Sequence, residues 1–153
     1  MNSGSLEKEI LAKYGGVTPE AMCESAMYHV KLLNKFDFDD IVISIKSSDV
    51  TTTCKAYRLM AEMCDYPLHL GVTEAGTYKM SLIKSCAGIG SLLLDGIGDT
   101  IRISMTDEPV KEVESALDLL SALNMRNDRP QIVACPTCGR TRIDLISTAK
   151  EVE

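Results

Sequence analysis

Pro67-Leu-His-Leu-Gly-Val-Thr-Glu-Ala-Gly76 is the stretch on which the fold turns. Pro67 to Val72 is short and apolar and reads as a strand. Thr73 to Gly76 reads as the turn that leaves it, and Lys79 to Leu94 as a helix with Ile83, Cys86 and Leu93 on its apolar side. Gly96-Ile97-Gly98 ends that helix, and Thr100 to Ser104 opens another strand. The same unit precedes it. Ile41 to Ile45 is β-branched and apolar, as strands buried on both faces tend to be. Ser48-Asp49 then caps a helix whose Val50, Cys54, Tyr57, Ala61 and Cys64 share a face. It also follows, with Pro109 leading a helix that carries Val113, Leu117 and Leu120. The chain thus holds three complete strand–helix units, 41–64, 67–95 and 99–124, with a truncated strand implied before residue 2. Strand alternating with helix means an α/β fold with a parallel sheet. Three units are too few to close an eight-stranded barrel; half a barrel and a small open doubly wound sheet both remain.

Upstream, Ser5 is the expected N-cap of a helix running from Leu6, which Gly15-Gly16 stops. Thr18 and Pro19 start the next one, with Met22, Ala26, Val30 and Leu33 at helical spacing. In parallel α/β folds ligands meet the C-terminal ends of the strands. Those ends read Lys46-Ser47-Ser48, Thr73-Glu74 and Arg102-Ile103-Ser104. Lysine, arginine and serine on one rim suit a phosphate or diphosphate, and Glu74 among them suits acid–base work. Each residue alone has a plainer reading. Lys46 and Arg102 read equally as solvated strand ends, and Glu74 as their ion-pair partner. His69 reads as a satisfied core histidine, His29 as a surface one, and the acidic residues of 106–115 as a solvated helix start. Shared placement is what lifts Lys46, Glu74 and Arg102.

Asn127-Asp-Arg-Pro130 reads as a linker into Gln131-Ile-Val-Ala-Cys-Pro-Thr-Cys-Gly-Arg140. There Ile132 to Ala134 is expected as a buried strand, and Ile143 to Ile146 as the opening of a helix. Between them Cys135 and Cys138 stand three positions apart on a Pro–Gly turn, a spacing that grips one soft metal centre. Such a pair is half of a zinc or iron–sulfur site, a redox dithiol, or two structural thiols. A thioredoxin-like dithiol precedes most of its sheet, which weighs against the redox pair. Two chains sharing one zinc through both cysteines remains the alternative of a different class.

The 153 residues leave room for one ordinary domain or a part of a larger one, with a net charge of −6 that disfavours nucleic acid and anionic membrane surfaces as partners. No apolar run nears the ~18 residues of a spanning helix, and the start lacks a signal-peptide pattern. Cysteines 23, 54, 64 and 86 fall irregularly inside helical stretches and read as small buried apolar residues, so the expected compartment is the cytoplasm.

Taken together, Asn2-Ser-Gly-Ser-Leu-Glu-Lys8, His69-Leu-Gly-Val-Thr-Glu-Ala-Gly76, Gly96-Ile-Gly-Asp-Thr-Ile-Arg-Ile-Ser104 and Ala134-Cys-Pro-Thr-Cys-Gly-Arg140 resemble the bacterial 4-hydroxy-3-methylbut-2-enyl diphosphate synthases of non-mevalonate isoprenoid biosynthesis. The resemblance runs in order over nearly the whole chain. It implies residues 1–126 as the second half of a TIM-type barrel and 131–153 as the start of an iron–sulfur domain. It implies an oxidoreductase that reductively opens 2-C-methyl-D-erythritol 2,4-cyclodiphosphate with electrons from ferredoxin or flavodoxin. By position, Cys135 and Cys138 match two ligands of a [4Fe–4S] cluster. Lys46, Arg102 and Ser104 match diphosphate holders, Asn2 an asparagine that faces the substrate, and Glu74 a carboxylate that donates a proton. The family's third cysteine and glutamate ligand, and the first barrel half, have no counterpart here. The expectation is therefore a fragment inactive by itself, whose uncovered sheet drives self-association into a homo-oligomer.

Overall fold

The computed structural model describes residues 1–128, 132–134 and 137–152. Four extended segments lie side by side in chain order, all parallel. Segment 1–3 joins 44–46: the Lys46 amide donates to the Met1 carbonyl and the Ser3 amide to the Lys46 carbonyl, each at 2.9 Å. Segment 43–47 joins 67–73, Ile43 N donating to Pro67 O and His69 N to Ile43 O, each at 2.8 Å. Strand β1 (His69–Leu70) pairs with β2 (Thr100–Ile101), His69 opposite Thr100 and Leu70 opposite Ile101. A strand order that never reverses is the wall of a barrel; a doubly wound sheet reverses at its switch point. The half-barrel reading holds.

The helices begin where local chemistry dictates. Helix α1 spans Lys8–Tyr14 and ends at Gly15, which adopts φ 70°. Helix α2 spans Pro19–Asn34, Thr18 Oγ1 accepting from the Ala21 amide at 3.1 Å. Helix α3 spans Val50–Met63, capped by Asp49, whose carboxylate accepts from the Thr52 amide at 2.6 Å. That contact with Thr52 holds the Asp49 carboxyl below its ordinary range. Asp49→Ala should cost about 1 kcal/mol in urea denaturation near neutral pH. A depressed carboxyl stabilises above its unfolded pKa, so the difference should fade as pH falls through the folded pKa. The expected cap at Ser5 is not formed: Ser5 ends a short 3₁₀ turn (Ser3–Ser5) and α1 begins only at Lys8.

Burial alternates along the strands. Ile43, Ile45, Leu68, Leu70, Val72 and Ile103 point outward into the helices, where Met22, Val30, Tyr57, Met60, Ile89 and Leu92 meet them. Ser44, Lys46, His69, Thr73, Thr100, Arg102 and Ser104 occupy the opposite face and keep contact with solvent. The expectation that Ile41 to Ile45 is buried on both faces is therefore wrong: Ile43 and Ile45 are buried, while Val42 is exposed and Ser44 only half-buried.

Tyr57 explains why the ladder between segments 43–47 and 67–73 registers as isolated contacts rather than a long strand. In a regular parallel ladder the Ile45 amide would donate to the His69 carbonyl. Here the fully buried Tyr57 hydroxyl stands between them, accepting from Ile45 N at 3.0 Å and donating to His69 O. The register resumes above it, where Thr73 N donates to Ser47 O at 3.2 Å. Burial pushes the phenol up to about 12, so it stays a donor. Tyr57→Phe orphans one buried amide and one carbonyl and should cost about 2–4 kcal/mol in urea denaturation; a loss below about 1 kcal/mol would mean that the strands simply close.

Helix α4 (Tyr78–Ser85) runs through a π-helical turn (Cys86–Gly90) into α5 (Ser91–Leu94). The wider turn rotates the buried stripe. Ser81, Ser85, Ile89, Leu92 and Leu93 face the core, while Ile83 and Cys86, expected there, are exposed. The tight approach at Gly88, where a Cβ would meet Val72 Cγ2 at 2.8 Å, accompanies that rotation. In α2, Leu33 is likewise exposed, and in α3 so is Ala61. Helix α6 (Pro109–Ala122) buries Ser115 and Leu119 and leaves Val113 in solvent. Of the helical cysteines, Cys23 and Cys54 are buried, Cys64 is half-buried and Cys86 exposed, which corrects the reading of all four as core. Residues 132–134 are exposed and form no strand, against the expected buried one, and α7 follows at Leu145–Val152. No described helix is long and apolar enough to cross a membrane.

Candidate anion-binding site

The parallel order places the ends of all four segments on one rim. Asn2 and Lys46 are register partners. The half-buried Lys46 side chain crosses the inner face of Gly71: a Cβ there would lie 3.2 Å from Lys46 Cε, 3.6 Å from Nζ and 3.1 Å from the Arg102 carbonyl. Glycine at 71 is thus what lets a lysine stem lie flat on the neighbouring strand. Burial, and then the Arg102 guanidinium, lowers the Lys46 pKa from its ordinary value. Arg102 is exposed and donates through Nη2 to Ser104 Oγ at 2.9 Å. Among the described residues, no carboxylate lies within ion-pair distance of either cation.

The loop carrying Ser104 is clamped. Ser81 Oγ donates to the Ser104 carbonyl at 2.5 Å, the Met105 amide donates to Glu112 Oε1 at 2.9 Å, and the Thr106 amide to the Gly76 carbonyl at 3.0 Å. Glu74 shares a small cleft with Ser104, Met105, Thr106 and Glu112. Its backbone sits at φ 51°, a left-handed conformation that costs a non-glycine residue about 1 kcal/mol or more and turns the side chain toward solvent. Asn2 lies on the rim, yet its amide oxygen is occupied locally, accepting from Gly4 N at 3.3 Å. Lys46, Glu74, Arg102 and Ser104 therefore share one rim, with Asn2 beside them.

Sequence reasoning missed His69. The ring is half-buried on the inner face, and its Nδ1 lies 2.8 Å from Thr100 Oγ1. Burial, Lys46 and Arg102, in that order, lower its pKa from the ordinary value. The signal was its parity: His69, Gly71 and Thr73 alternate with the apolar Leu68, Leu70 and Val72. His29 is a surface residue 2.9 Å from Glu7, as expected.

Of the cysteine pair, Cys135 lies outside the described residues. Cys138 is exposed and its amide donates to Thr141 Oγ1 at 3.1 Å. The Arg140 amide, followed by the Thr141 hydroxyl, holds the Cys138 thiol below its ordinary pKa, which favours the thiolate that a soft metal needs. A larger cleft among α1, α2 and α3 is lined by Tyr14, Cys23, Glu24 and Leu59. Burial pushes Cys23 up to about 12, so it is not a nucleophile there.

Curated relatives match every residue of the chain. It is 56% identical over 153 residues to the 4-hydroxy-3-methylbut-2-en-1-yl diphosphate synthase (flavodoxin) of Fusobacterium nucleatum, covering 43% of that protein. It is 57% identical to the enzyme of the same name from Caldanaerobacter subterraneus, of which it also covers 43%, and 56% identical to that of Clostridium tetani, of which it covers 44%. The chain thus spans less than half the length of these relatives. The GcpE TIM-barrel domain matches residues 1–117, the part that contains all four parallel segments and the whole rim. On that match, and on a strand order proper to a barrel wall, the chain belongs to the GcpE TIM-barrel domain family.

Proposed function

We propose that this chain forms one wall of the substrate site in a 4-hydroxy-3-methylbut-2-en-1-yl diphosphate synthase, with residues 1–126 contributing barrel and 131–153 the beginning of the cluster domain. The observation that carries the reading is the rim itself. Lys46 and Arg102 stand on the two strand ends that flank the Gly71 segment, without a carboxylate partner among the described residues, and Ser104 is held beside Arg102. Two unneutralised cations and a clamped hydroxyl make a seat for a diphosphate. Lys46, Arg102 and Ser104 hold the phosphate oxygens of 2-C-methyl-D-erythritol 2,4-cyclodiphosphate, Asn2 flanks them, and Glu74 supplies a proton beside the reacting carbon.

The exposed, acidified Cys138 thiol fits a ligand of a [4Fe–4S] cluster, with Cys135 as its neighbour in the set. When bound, the cluster supplies the electrons, which reach it from flavodoxin or ferredoxin. The chain's own contribution is to bind the anion, orient it and deliver a proton at the Glu74 carboxyl.

A chimera tests this, with these 153 residues replacing the matching segment of the Fusobacterium enzyme. The expected result is reductive opening of the cyclic diphosphate, with iron and acid-labile sulfide that are lost in Cys138→Ser. A folded, cluster-loaded chimera that does not turn over the cyclic diphosphate overturns the substrate assignment. Zinc without sulfide at the cysteines would favour the shared zinc site instead.

A further inference from the structure

We propose that the His69 imidazole is the third cationic group of the anion site: neutral while the site is empty, it takes up a proton when a phosphate-like dianion settles between Lys46 and Arg102. The inference rests on the anion-site reading above and adds a residue and a proton to it. The geometry comes first. His69 stands on the inner face two residues below Gly71, over which the Lys46 ammonium lies, and its strand partner Thr100 stands two residues below Arg102. Nδ1 is engaged by Thr100 Oγ1 at 2.8 Å, and Nε2 has no hydrogen-bond partner among the described residues. From one side the ring meets the charge of Lys46, and from the other the charge of Arg102 and the neutral Thr100 hydroxyl. The carboxylate next along that strand, Asp99, is turned away to accept from the Leu68 amide at 2.7 Å.

Protonating His69 in the empty site would add a third positive charge to two unneutralised ones. Partial burial first, and then that repulsion from Lys46 and Arg102, account for the direction of its titration. A dianion reverses the balance, since it attracts the imidazolium and cancels the repulsion from its neighbours. Linkage then requires that anion binding raise the His69 pKa, and that protonation of His69 raise the affinity for the anion by the same factor.

The test uses sulfate, a dianion that does not itself titrate near neutrality, against chloride at constant ionic strength. The chain has two histidines, so the imidazole Cε1–H resonances can be followed individually by NMR, with His29 as internal control. Saturating sulfate should raise the His69 midpoint by about one unit or more and leave His29 in place. Sulfate affinity should fall about tenfold as His69 deprotonates, and His69→Gln should abolish that pH dependence. If sulfate shifts the Arg102 and Ser104 amides while the His69 midpoint stays fixed, the histidine is not part of the site and the anion rim stands. If sulfate leaves those amides unmoved at every pH, both the rim and the role of His69 fall.

Discussion

Glu74→Gln in the chimera is expected to lower kcat by about 10²–10³-fold while KM changes by less than about threefold. The amide is isosteric and keeps the left-handed turn at φ 51°, so the loop and its cleft with Ser104 and Glu112 should persist. What disappears is the transferable proton. An interaction needed only as the reaction proceeds shows in kcat; one that merely holds the anion shows in KM. Lys46→Met offers the contrast, because the proposed role of its ammonium is binding: KM should rise by at least about tenfold. If Glu74→Gln instead raised KM and spared kcat, the carboxylate would be an organiser of the neighbouring cations, and its role as proton donor would be wrong.

Gly98→Ala is expected to destabilise the chain by about 3–5 kcal/mol, read from urea denaturation of both proteins. Two costs add. The backbone at Gly98 holds φ +115°, which L residues rarely adopt, and a Cβ there would stand 2.4 Å from Leu70 Cδ1 and 2.6 Å from its Cγ. Leu70 is fully buried on the core face of β1, so it has nowhere to move. Gly96 separates the two costs: it also has a positive φ, +75°, but open space around its Cβ position. Gly96→Ala should therefore cost about 1 kcal/mol, the strain alone. Equal losses at the two positions would show that Leu70 yields and that packing against β1 contributes little.

Much of the architecture was legible because it rests on local chemistry. Thr18-Pro19 and Asp49 start helices wherever they stand before an apolar-periodic run, and Gly15 stops one by accepting a left-handed backbone. The alternation of strand and helix required a parallel sheet, and a parallel sheet gathers its strand ends on one rim. Local chemistry of this kind places Lys46, Glu74, Arg102 and Ser104 at the strand ends. It failed where the deciding contact is remote in sequence. Ile83 and Cys86 have helical spacing, but the helix runs into a π turn, Ser81 and Ser85 take the buried side, and Gly88 passes close to Val72. His69 looked like a core residue because it sits among leucines. Across the ladder it faces Thr100, and Lys46 lies over Gly71, two residues further along its own strand.

The residues by themselves determined the class of fold, the direction of the strands and the rim that gathers their polar ends, since caps, breakers and periodicity act over a few positions. Periodicity left barrel and doubly wound sheet open; the family resemblance implied the barrel and the strand order agrees with it, whereas tertiary structure alone decided that a tyrosine hydroxyl from α3 is wedged into the ladder. It also decided that a histidine shares the inner face with two cations. These outcomes depend on which backbone atoms and charges meet from far along the chain, as the Tyr57 hydroxyl does at the His69 carbonyl and the Arg102 charge at the His69 ring. No pattern along the chain encodes such a meeting, because it is set by how the helices pack the strands together.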